Sequence, residues 1–578
     1  MKMIMMPGYR SLFGEPTSSY EEILKKVPSE IVIMLLMSLN AELNTTEAHT
    51  VKQNRIWQLV SYRFTKGQYQ KFEIAFSKYS EKVNGFDGTL FDRSCLLAMI
   101  LKELKRNNTC DSELDEPLQE YNFVIAYLLV VDEVRKNDSE LLENSKKYKD
   151  EVMPTLPLLW AGGIRQYEFN QTVNIAYELF KLNCFSKYAY DRFKPYLKEL
   201  INKYSFLNLS QFIGSFYQIL NVTLIDNPAE PLRKLVSIKA SQSVNTGHLK
   251  ALCFNLLIGK NKAVMADLRK YPLYETTIRG FMLIDENMFR KKVYRGPLFE
   301  LQKETGLTKV INFDDYKTLV SKGFFENAFF RSIAKLMIKS RYEIVHFDDN
   351  VLNKPDLFYR RNKSVLMLEF KDYLFHDKII AGNEFSTFKN YIDERFIISD
   401  KEKPKGVTQL ANNIDSLYKM NYDFDSVLNN MINKKMHVKI YPIICHTDFM
   451  FSMPGINEYL NIIFTKKLKE KKVETKHIRN ITVISLEVLF DYAIRGKDFI
   501  SLSKLIERYW DIINNRKIKN QKFGSVNNFL GTTVSFDELY ETKFKQELLN
   551  ENYLSKEDKL TQLSEMAGLT QEQLQEVL

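Results

Sequence analysis

The feature that most limits what this chain can fold into is a β-hairpin pattern in residues 354–373, KPDLFYRRNKSVLMLEFKDY. Two short apolar runs flank a polar turn at residues 360–364. Side chains alternate between the two faces of a strand, so Glu369 and Lys371 emerge on the same face at the end of the second run. Asp356, at the start of the first run, lies across from them if the turn is tight. The pattern therefore predicts two carboxylates and one ammonium group together on an otherwise apolar hairpin.

These charged groups are costly to bury unless something compensates for them. A divalent cation held by Asp356 and Glu369 would compensate, with Lys371 beside the metal-bound water. Taken singly, each residue has an ordinary interpretation: Asp356 can cap a turn, and Glu369 with Lys371 can form a surface pair worth at most about 1 kcal/mol. The apolar residues around Met367 indicate a strand buried on both faces, which favours the functional interpretation.

The spacing of these residues resembles a known nuclease motif. Pro355-Asp356, twelve intervening residues and Glu369-Phe370-Lys371 are similar to the pattern of the PD-(D/E)XK nuclease superfamily, the restriction-endonuclease-like fold. The resemblance implies that Asp356 and Glu369 are metal ligands, joined by the carbonyl of Phe370, and that Lys371 orients or deprotonates the attacking water. It also implies Mg²⁺ as the cofactor, with Mn²⁺ able to substitute.

The elements around the hairpin fit the same fold. An amphipathic helix is predicted over Phe324–Lys339, and the resemblance implies that Glu326 in its first turn is a further metal ligand. Complementing the helix N-terminus is an equally good role for Glu326. A helix beginning near residue 405 carries Gln409, which the resemblance implies faces the active site, although a polar residue at a helix start is ordinary. Strands are predicted at 342–347, 438–445 and 481–485.

The remainder of the chain is predicted to be helical. Residues 1–290 show apolar residues at three- and four-residue spacing between short polar joints, which predicts an all-helical recognition or partner domain. Residues 291–500 form the predicted nuclease-like α/β domain with a mixed sheet, and residues 501–578 form a short helical C-terminal region. The predicted fold class is therefore multidomain, α and α/β, as suits a chain of 578 residues.

A basic, aromatic-rich stretch at 281–305 joins the two predicted halves. Its cations alternate with Phe289 and Tyr294, an arrangement that can follow a phosphate backbone while the rings stack on bases. A solvated helix face explains the same residues, and we favour that interpretation.

Composition limits the partners and the compartment. The formal net charge of +10 suits a polyanionic partner, although a Lys- and Asn-rich chain drifts basic without one. Five scattered cysteines without a CxxC pair support neither a zinc ribbon nor a disulfide framework, and they predict a reducing compartment. The start lacks a signal-peptide core, and the longest apolar runs are too short to span a bilayer. We therefore expect a cytoplasmic protein without a membrane partner.

The leading hypothesis is a Mg²⁺-dependent endonuclease that acts on DNA rather than RNA and that resembles restriction-like or antiviral defence effectors. In this hypothesis the helical N-terminal half recognises substrate, a partner or an invader, and the helical regions can support a homodimer or a protein partner. Two alternatives stay open: a catalytically inactive nucleic-acid-binding or scaffold protein with the same fold, and a ribonuclease.

Overall fold

The computed structural model divides the chain into two compact units. The helical unit takes in residues 3–140, 172–313 and 569–578, and the sheet unit takes in residues 141–171 and 314–568. This division is not linear along the chain, unlike the predicted one. The structure describes residues 6–44, 48–83, 88–109, 116–165, 167, 173–223, 237–238, 246–258, 264–276, 280–347, 354–399, 401–419, 422–523, 533–548 and 565–576.

Helices build most of the helical unit. Their starts follow local chemistry: Thr65 and Gln68, for example, form a capping box that satisfies the first backbone N–H groups of one helix. The α-helices are Tyr9–Phe13, Tyr20–Ile23, Ser29–Leu43, His49–Ser61, Lys66–Lys82, Arg93–Arg106, Glu116–Ser145, Ile175–Lys203, Leu209–Thr223, Thr246–Ala251, Met265–Lys270, Glu286–Lys303 and Gln571–Gln575, with 3₁₀ turns at Phe254–Leu257 and Gly306–Lys309.

The helical unit also contains a small antiparallel sheet. Its strands are β1 (Ser237–Ile238), β2 (Leu273–Thr276) and β3 (Gly280–Leu283), in the order β1-β3-β2. The prediction that residues 1–290 are all helical is therefore wrong for this stretch. Strands of two to four residues are too short for a period-two pattern to stand out from a helical one.

The basic stretch at 281–305 packs into the interior of the helical unit. Most of it forms the helix Glu286–Lys303, in which Phe289 is 0% exposed and Tyr294 2% exposed. Lys292 donates a 2.6 Å hydrogen bond to Oε1 of Glu300, so this cation is paired within the protein. Buried rings cannot stack on bases, so the predicted stacking by Phe289 and Tyr294 is wrong. A solvated position is also wrong for these two rings.

A five-stranded mixed sheet organises the sheet unit, in agreement with the predicted mixed α/β architecture. Its spatial order is β4-β5-β6-β7-β8; β4 to β6 are antiparallel, whereas β6, β7 and β8 are parallel. The central strand β6 has neighbours on both sides and is buried from its second residue to its last. The strands are β4 (Ile344–Phe347), β5 (Leu357–Arg361), β6 (Ser364–Lys371), β7 (Lys439–His446) and β8 (Thr482–Ser485).

Helices surround this sheet. The predicted separate C-terminal helical region differs from the structure, because the helix Phe499–Phe523 belongs to the sheet unit and its Trp510 donates a 3.0 Å hydrogen bond to Thr482 of β8. The helices are Leu156–Gly163, Phe313–Leu319, the π-helical Val320–Phe330, Arg331–Leu336, Asp377–Ala381, Phe385–Phe396, Gly406–Tyr418, Ser426–Asn433, Ile456–Glu470, Leu486–Ile494, Phe499–Phe523, Phe536–Leu539, the π-helical Tyr540–Phe544 and Lys545–Leu548, with a 3₁₀ turn at Phe449–Ser452.

Within the described part of the chain, no helix combines the length and the apolar character needed to cross a bilayer.

Candidate active site

The hairpin of β5 and β6 brings the two motif carboxylates together. Antiparallel pairing places Leu357 opposite Leu368, so Asp356, just before β5, lies beside the end of β6. The backbone N–H of Phe370 donates a 2.6 Å hydrogen bond to Oδ2 of Asp356. This bond fixes the Asp356 side chain against the strand that carries Glu369.

Lys371 links the two carboxylates. Its Nζ lies 2.9 Å from Oε2 of Glu369 and 3.9 Å from Oδ2 of Asp356. Glu369 is 1% exposed and Lys371 8% exposed, whereas the Asp356 side chain keeps 19% of its surface accessible. We call Asp356, Glu369 and Lys371 the carboxylate–lysine cluster. One edge of the cluster is therefore open to solvent and the rest is dry.

A residue that the sequence reasoning missed completes the contacts of Glu369. Asn413, on the helix Gly406–Tyr418, is buried and donates a 2.9 Å hydrogen bond from its side-chain amide to Oε1 of Glu369. The hydroxyl of Tyr422 in turn donates to the backbone carbonyl of Asn413 at 3.1 Å. The only signal in the sequence was position, because Asn413 lies one helical turn after Gln409 and therefore on the same face.

Gln409 itself is not joined to the cluster. Within the described part of the chain no hydrogen bond connects it to Asp356, Glu369 or Lys371, and its buried Oε1 has no hydrogen-bond partner there. The helix Gly406–Tyr418 packs against β6, but Asn413 rather than Gln409 reaches the carboxylate.

Glu326 lies near the cluster on a helix that differs from the predicted one. Helical structure begins at Phe313 rather than at residue 324, ends at Leu336 rather than at residue 339, and is π-helical over Val320–Phe330. Phe330 stacks on Phe370 with ring centroids 4.9 Å apart, which fixes this helix against the end of β6. Burial raises the pKa of Glu326, and the charge of Asp356 adds to that rise.

The electrostatics of the cluster show an excess of negative charge at a site that is largely buried from solvent. Burial, together with the charge of Asp356, raises the pKa of Glu369 to about 8, although Lys371 and Asn413 oppose the rise. Burial alone would lower the pKa of the Lys371 ammonium group, but the charges of Glu369 and Asp356 outweigh burial and raise it. Burial is the larger cause of the rise at Glu369, and the charge of Asp356 contributes to both shifts, since one ammonium group faces two carboxylates. An additional cation would relieve this imbalance.

The residue after the cluster anchors the end of β6. The Asp372 side chain is 1% exposed and accepts hydrogen bonds from Nζ of Lys317 at 2.6 Å and from Oγ1 of Thr447 at 2.8 Å. These contacts tie the end of β6 to the helix Phe313–Leu319 and to the residues after β7. Asp372 therefore holds Lys371 in place without being a member of the cluster.

The donor atoms of the cluster suit a hard cation. Carboxylate and carbonyl oxygens are the ligands that Mg²⁺ prefers, and Asp356, Glu369 and the carbonyl of Phe370 would supply them. Within the described residues, however, no three His, Cys, Asp or Glu side chains form a group that could hold a metal ion by themselves. Lys371 already makes the contact between the two carboxylates, so a metal held by both would have to replace part of that contact and complete its coordination with water.

No protein-family model, no curated protein and no solved structure matches this chain. The carboxylate–lysine cluster is therefore the feature from which a function can be proposed.

Proposed function

We propose that this chain is a metal-dependent nuclease that hydrolyses phosphodiester bonds, and specifically an endonuclease of DNA. The observation that carries the proposal is the carboxylate–lysine cluster at the end of the central strand, with Nζ of Lys371 2.9 Å from Glu369 and 3.9 Å from Asp356. Burying such a cluster is costly, and a protein that keeps it on a central strand needs a functional reason. Its open edge, at Asp356, gives substrate a way in.

Each residue of the cluster has a role in this proposal. Asp356 and Glu369, with the carbonyl of Phe370, would hold Mg²⁺ or Mn²⁺, and Glu326 is the candidate for a further ligand. A bound ion of this kind lowers the pKa of a coordinated water and stabilises charge on phosphoryl oxygens. Lys371 orients the attacking water and donates hydrogen bonds to the phosphoryl oxygens as negative charge grows on them.

The choice of DNA, and a role in restriction or antiviral defence, come to the proposal from the family resemblance alone. The net charge of +10 supports a polyanionic substrate but does not distinguish DNA from RNA. A helical unit that recognises a substrate or partner, a homodimer and a cytoplasmic location belong to the same proposal.

A second candidate function has one observation in its favour. Because Lys371 contacts both carboxylates, the cluster can be stable without a metal. The chain would then be a nucleic-acid-binding or scaffold protein that keeps the nuclease architecture without the reaction.

Incubation of the purified chain with supercoiled plasmid in Mg²⁺, in Mn²⁺ or in EDTA separates the two candidates. We expect nicking or linearisation by the wild type only with metal, and none by Asp356→Ala or Lys371→Ala at equal helicity by circular dichroism. Lys543→Ala, which removes an exposed cation elsewhere on the sheet unit, should cleave as the wild type does. Cleavage that survives both cluster substitutions would contradict the assignment, and cleavage of single-stranded RNA in preference to plasmid would identify a ribonuclease.

A further inference from the structure

We infer that the sheet unit has a second nucleic-acid contact at the end of the sheet opposite the carboxylate–lysine cluster. This surface binds the phosphate backbone that flanks the cleaved bond, so its role as a substrate anchor rests on the proposed function, whereas its binding of nucleic acid does not. We call it the basic edge. Its members are the cations Lys363, Lys434, Lys435, Lys439, Lys476 and Arg479.

Backbone pairing brings the basic edge together from three distant segments. The N–H of Lys439, at the start of β7, donates a 2.8 Å hydrogen bond to the carbonyl of Lys363 in the hairpin turn. On the other side, the N–H of Ile440 donates to the carbonyl of His477 at 3.0 Å, and the N–H of Arg479 donates to the carbonyl of Ile440 at 2.8 Å. These bonds continue the pairing at the start of β7, so the backbone fixes the positions of Lys363, Lys439 and Arg479.

Positive charge is in excess at the basic edge. Lys439 and Arg479 share a single carboxylate, Glu507, with each nitrogen 3.1 Å from the same oxygen, Oε1. Lys363, Lys434, Lys435 and Lys476 are exposed to solvent. Glu474 is a second carboxylate here and is exposed, whereas Glu343 and Asp498 are paired with Arg361. Six cations against two carboxylates leave a surface that attracts polyanions.

The basic edge and the cluster lie at opposite ends of one strand. In the parallel pairing of β6 with β7, Ser364 lies beside Lys439, and seven residues later Lys371 lies beside His446. At about 3.3 Å per residue, this is a separation of about 23 Å. A phosphate at the basic edge is therefore several base pairs away from one at the cluster, so the edge anchors flanking backbone and takes no part in the reaction.

The composition of the basic edge favours nucleic acid over an acidic protein. Lysine is depleted in the cores of protein–protein interfaces, where aromatic residues and methionine are enriched. Contacts to the phosphate backbone, in contrast, come mainly from lysine and arginine and require no apolar centre. Five of the six cations are lysines, and this points to phosphates that are held by charge rather than read for sequence.

The test measures binding of the full chain to a labelled duplex of about 30 bp in EDTA, by fluorescence anisotropy, between about 50 and 200 mM NaCl. EDTA prevents cleavage, so the result does not depend on catalysis. The edge variant carries three substitutions, and a control variant removes three exposed lysines elsewhere on the sheet unit. The edge variant is Lys434→Ala, Lys435→Ala and Lys476→Ala, and the control is Lys335→Ala, Lys403→Ala and Lys543→Ala.

We expect the edge variant to bind at least tenfold more weakly at low salt than the wild type or the control. Each lost phosphate contact should also reduce the slope of log K against log salt by about 0.9. Equal affinity and slope in the edge variant, an equal loss in the control, or no binding of duplex by the wild type would each overturn the inference. Competition by polyglutamate as effective as that by DNA would also overturn it. Loss of binding in the edge variant without plasmid cleavage by the wild type would retain the surface and reject only the nuclease.

Discussion

The side-chain amide of Asn413 donates a 2.9 Å hydrogen bond to Oε1 of Glu369, and Nζ of Lys371 lies 2.9 Å from the other oxygen of the same carboxylate. Glu369 is thus held from two sides, by an uncharged donor on a helix and by a cation on its own strand. The two contacts fix the plane of the carboxylate. The orientation of this plane sets the positions from which a metal ion or a hydrogen-bond donor can bind the carboxylate oxygens.

We predict that Asn413→Ala lowers the rate of metal-dependent plasmid nicking by about 10- to 100-fold, the usual cost of losing a partner that orients a metal ligand. The buried Glu369 oxygen would lose its donor, which costs about 1–3 kcal/mol of folding free energy. Nicking rates over a series of Mg²⁺ concentrations, with urea unfolding of the same samples, measure both effects. Asn412→Ala, at the neighbouring position, serves as the control; equal rates for the two variants would show that the hydrogen bond is not needed.

Removing the ammonium group should make the cluster more dependent on a metal. Without metal, Lys371→Met should destabilise the sheet unit by up to about 3–5 kcal/mol, because it leaves buried carboxylates without their cation. Mg²⁺ at about 100 times its Kd should return about 2.7 kcal/mol. In thermal melts we therefore expect Mg²⁺ to raise the Tm of Lys371→Met more than that of the wild type. The Tm of Lys363→Met should respond to Mg²⁺ as that of the wild type does. A Tm that does not change with Mg²⁺ in any variant would argue against a metal site.

The parts of the site that the sequence could predict are the local ones. The hairpin follows from a period-two pattern on either side of a polar turn. Asp356 contacts Phe370 because the antiparallel pairing of the two strands places these residues close together. The contact of Asn413 with Glu369 could not be predicted, since it depends on how one helix packs on β6, and asparagine within a helix has no periodic signature. The basic edge depends on backbone pairing between Lys363 and Lys439, residues far apart in sequence.

The domain boundaries could not be predicted either, because they also depend on contacts between segments that are far apart in sequence. Residues 141–171 join the sheet unit although they precede β4 by more than a hundred positions. Trp160 shows why: it is buried, and its ring stacks against Phe388 with centroids 6.0 Å apart. The apolar pattern of a helix predicts that the helix is buried, but it does not predict which of two hydrophobic cores the helix packs against.

A buried ion pair on β5 provides a test of the fold that is independent of function. Arg360 and Asp425 are 7% and 1% exposed, with Nη2 of Arg360 2.8 Å from Oδ1 of Asp425, and Asp425 also accepts a 3.0 Å bond from the N–H of Leu428 at a helix start. We predict that Asp425→Ala costs about 3–5 kcal/mol, because the guanidinium group stays buried without its partner. Arg360→Met combined with Asp425→Ala should cost clearly less than the sum of the single changes.

Urea unfolding of the four proteins gives this double-mutant cycle. The matched control is the pair of Lys354 with Asp423, whose atoms are 3.1 Å apart but whose aspartate is 84% exposed. That pair should couple far more weakly than the buried pair, because water screens its charges. Additive costs for Arg360 and Asp425 would mean that the two buried charges do not stabilise each other.

His248 predicts a pH dependence for the helical unit. Its ring is buried among aromatic rings, with centroid distances of 4.8 Å to Tyr204 and 5.1 Å to Phe216, and burial lowers its pKa from 6.5 to about 4, although the charge of Glu300 opposes the shift. The unfolded chain therefore binds this proton at a higher pH than the folded chain does. Stability that is complete above about pH 6.5 should be lost as the pH falls towards about 4, by about 3 kcal/mol in all.

Replacing the imidazole isolates this contribution from the carboxylates that titrate over the same range. His248→Gln should be less stable than the wild type at about pH 7, where the packing of the native ring counts, and this deficit should shrink by up to about 3 kcal/mol at about pH 4. Urea unfolding followed by circular dichroism at several pH values measures the difference. A deficit that is constant with pH would show that His248 binds its proton equally well in the folded and unfolded chains.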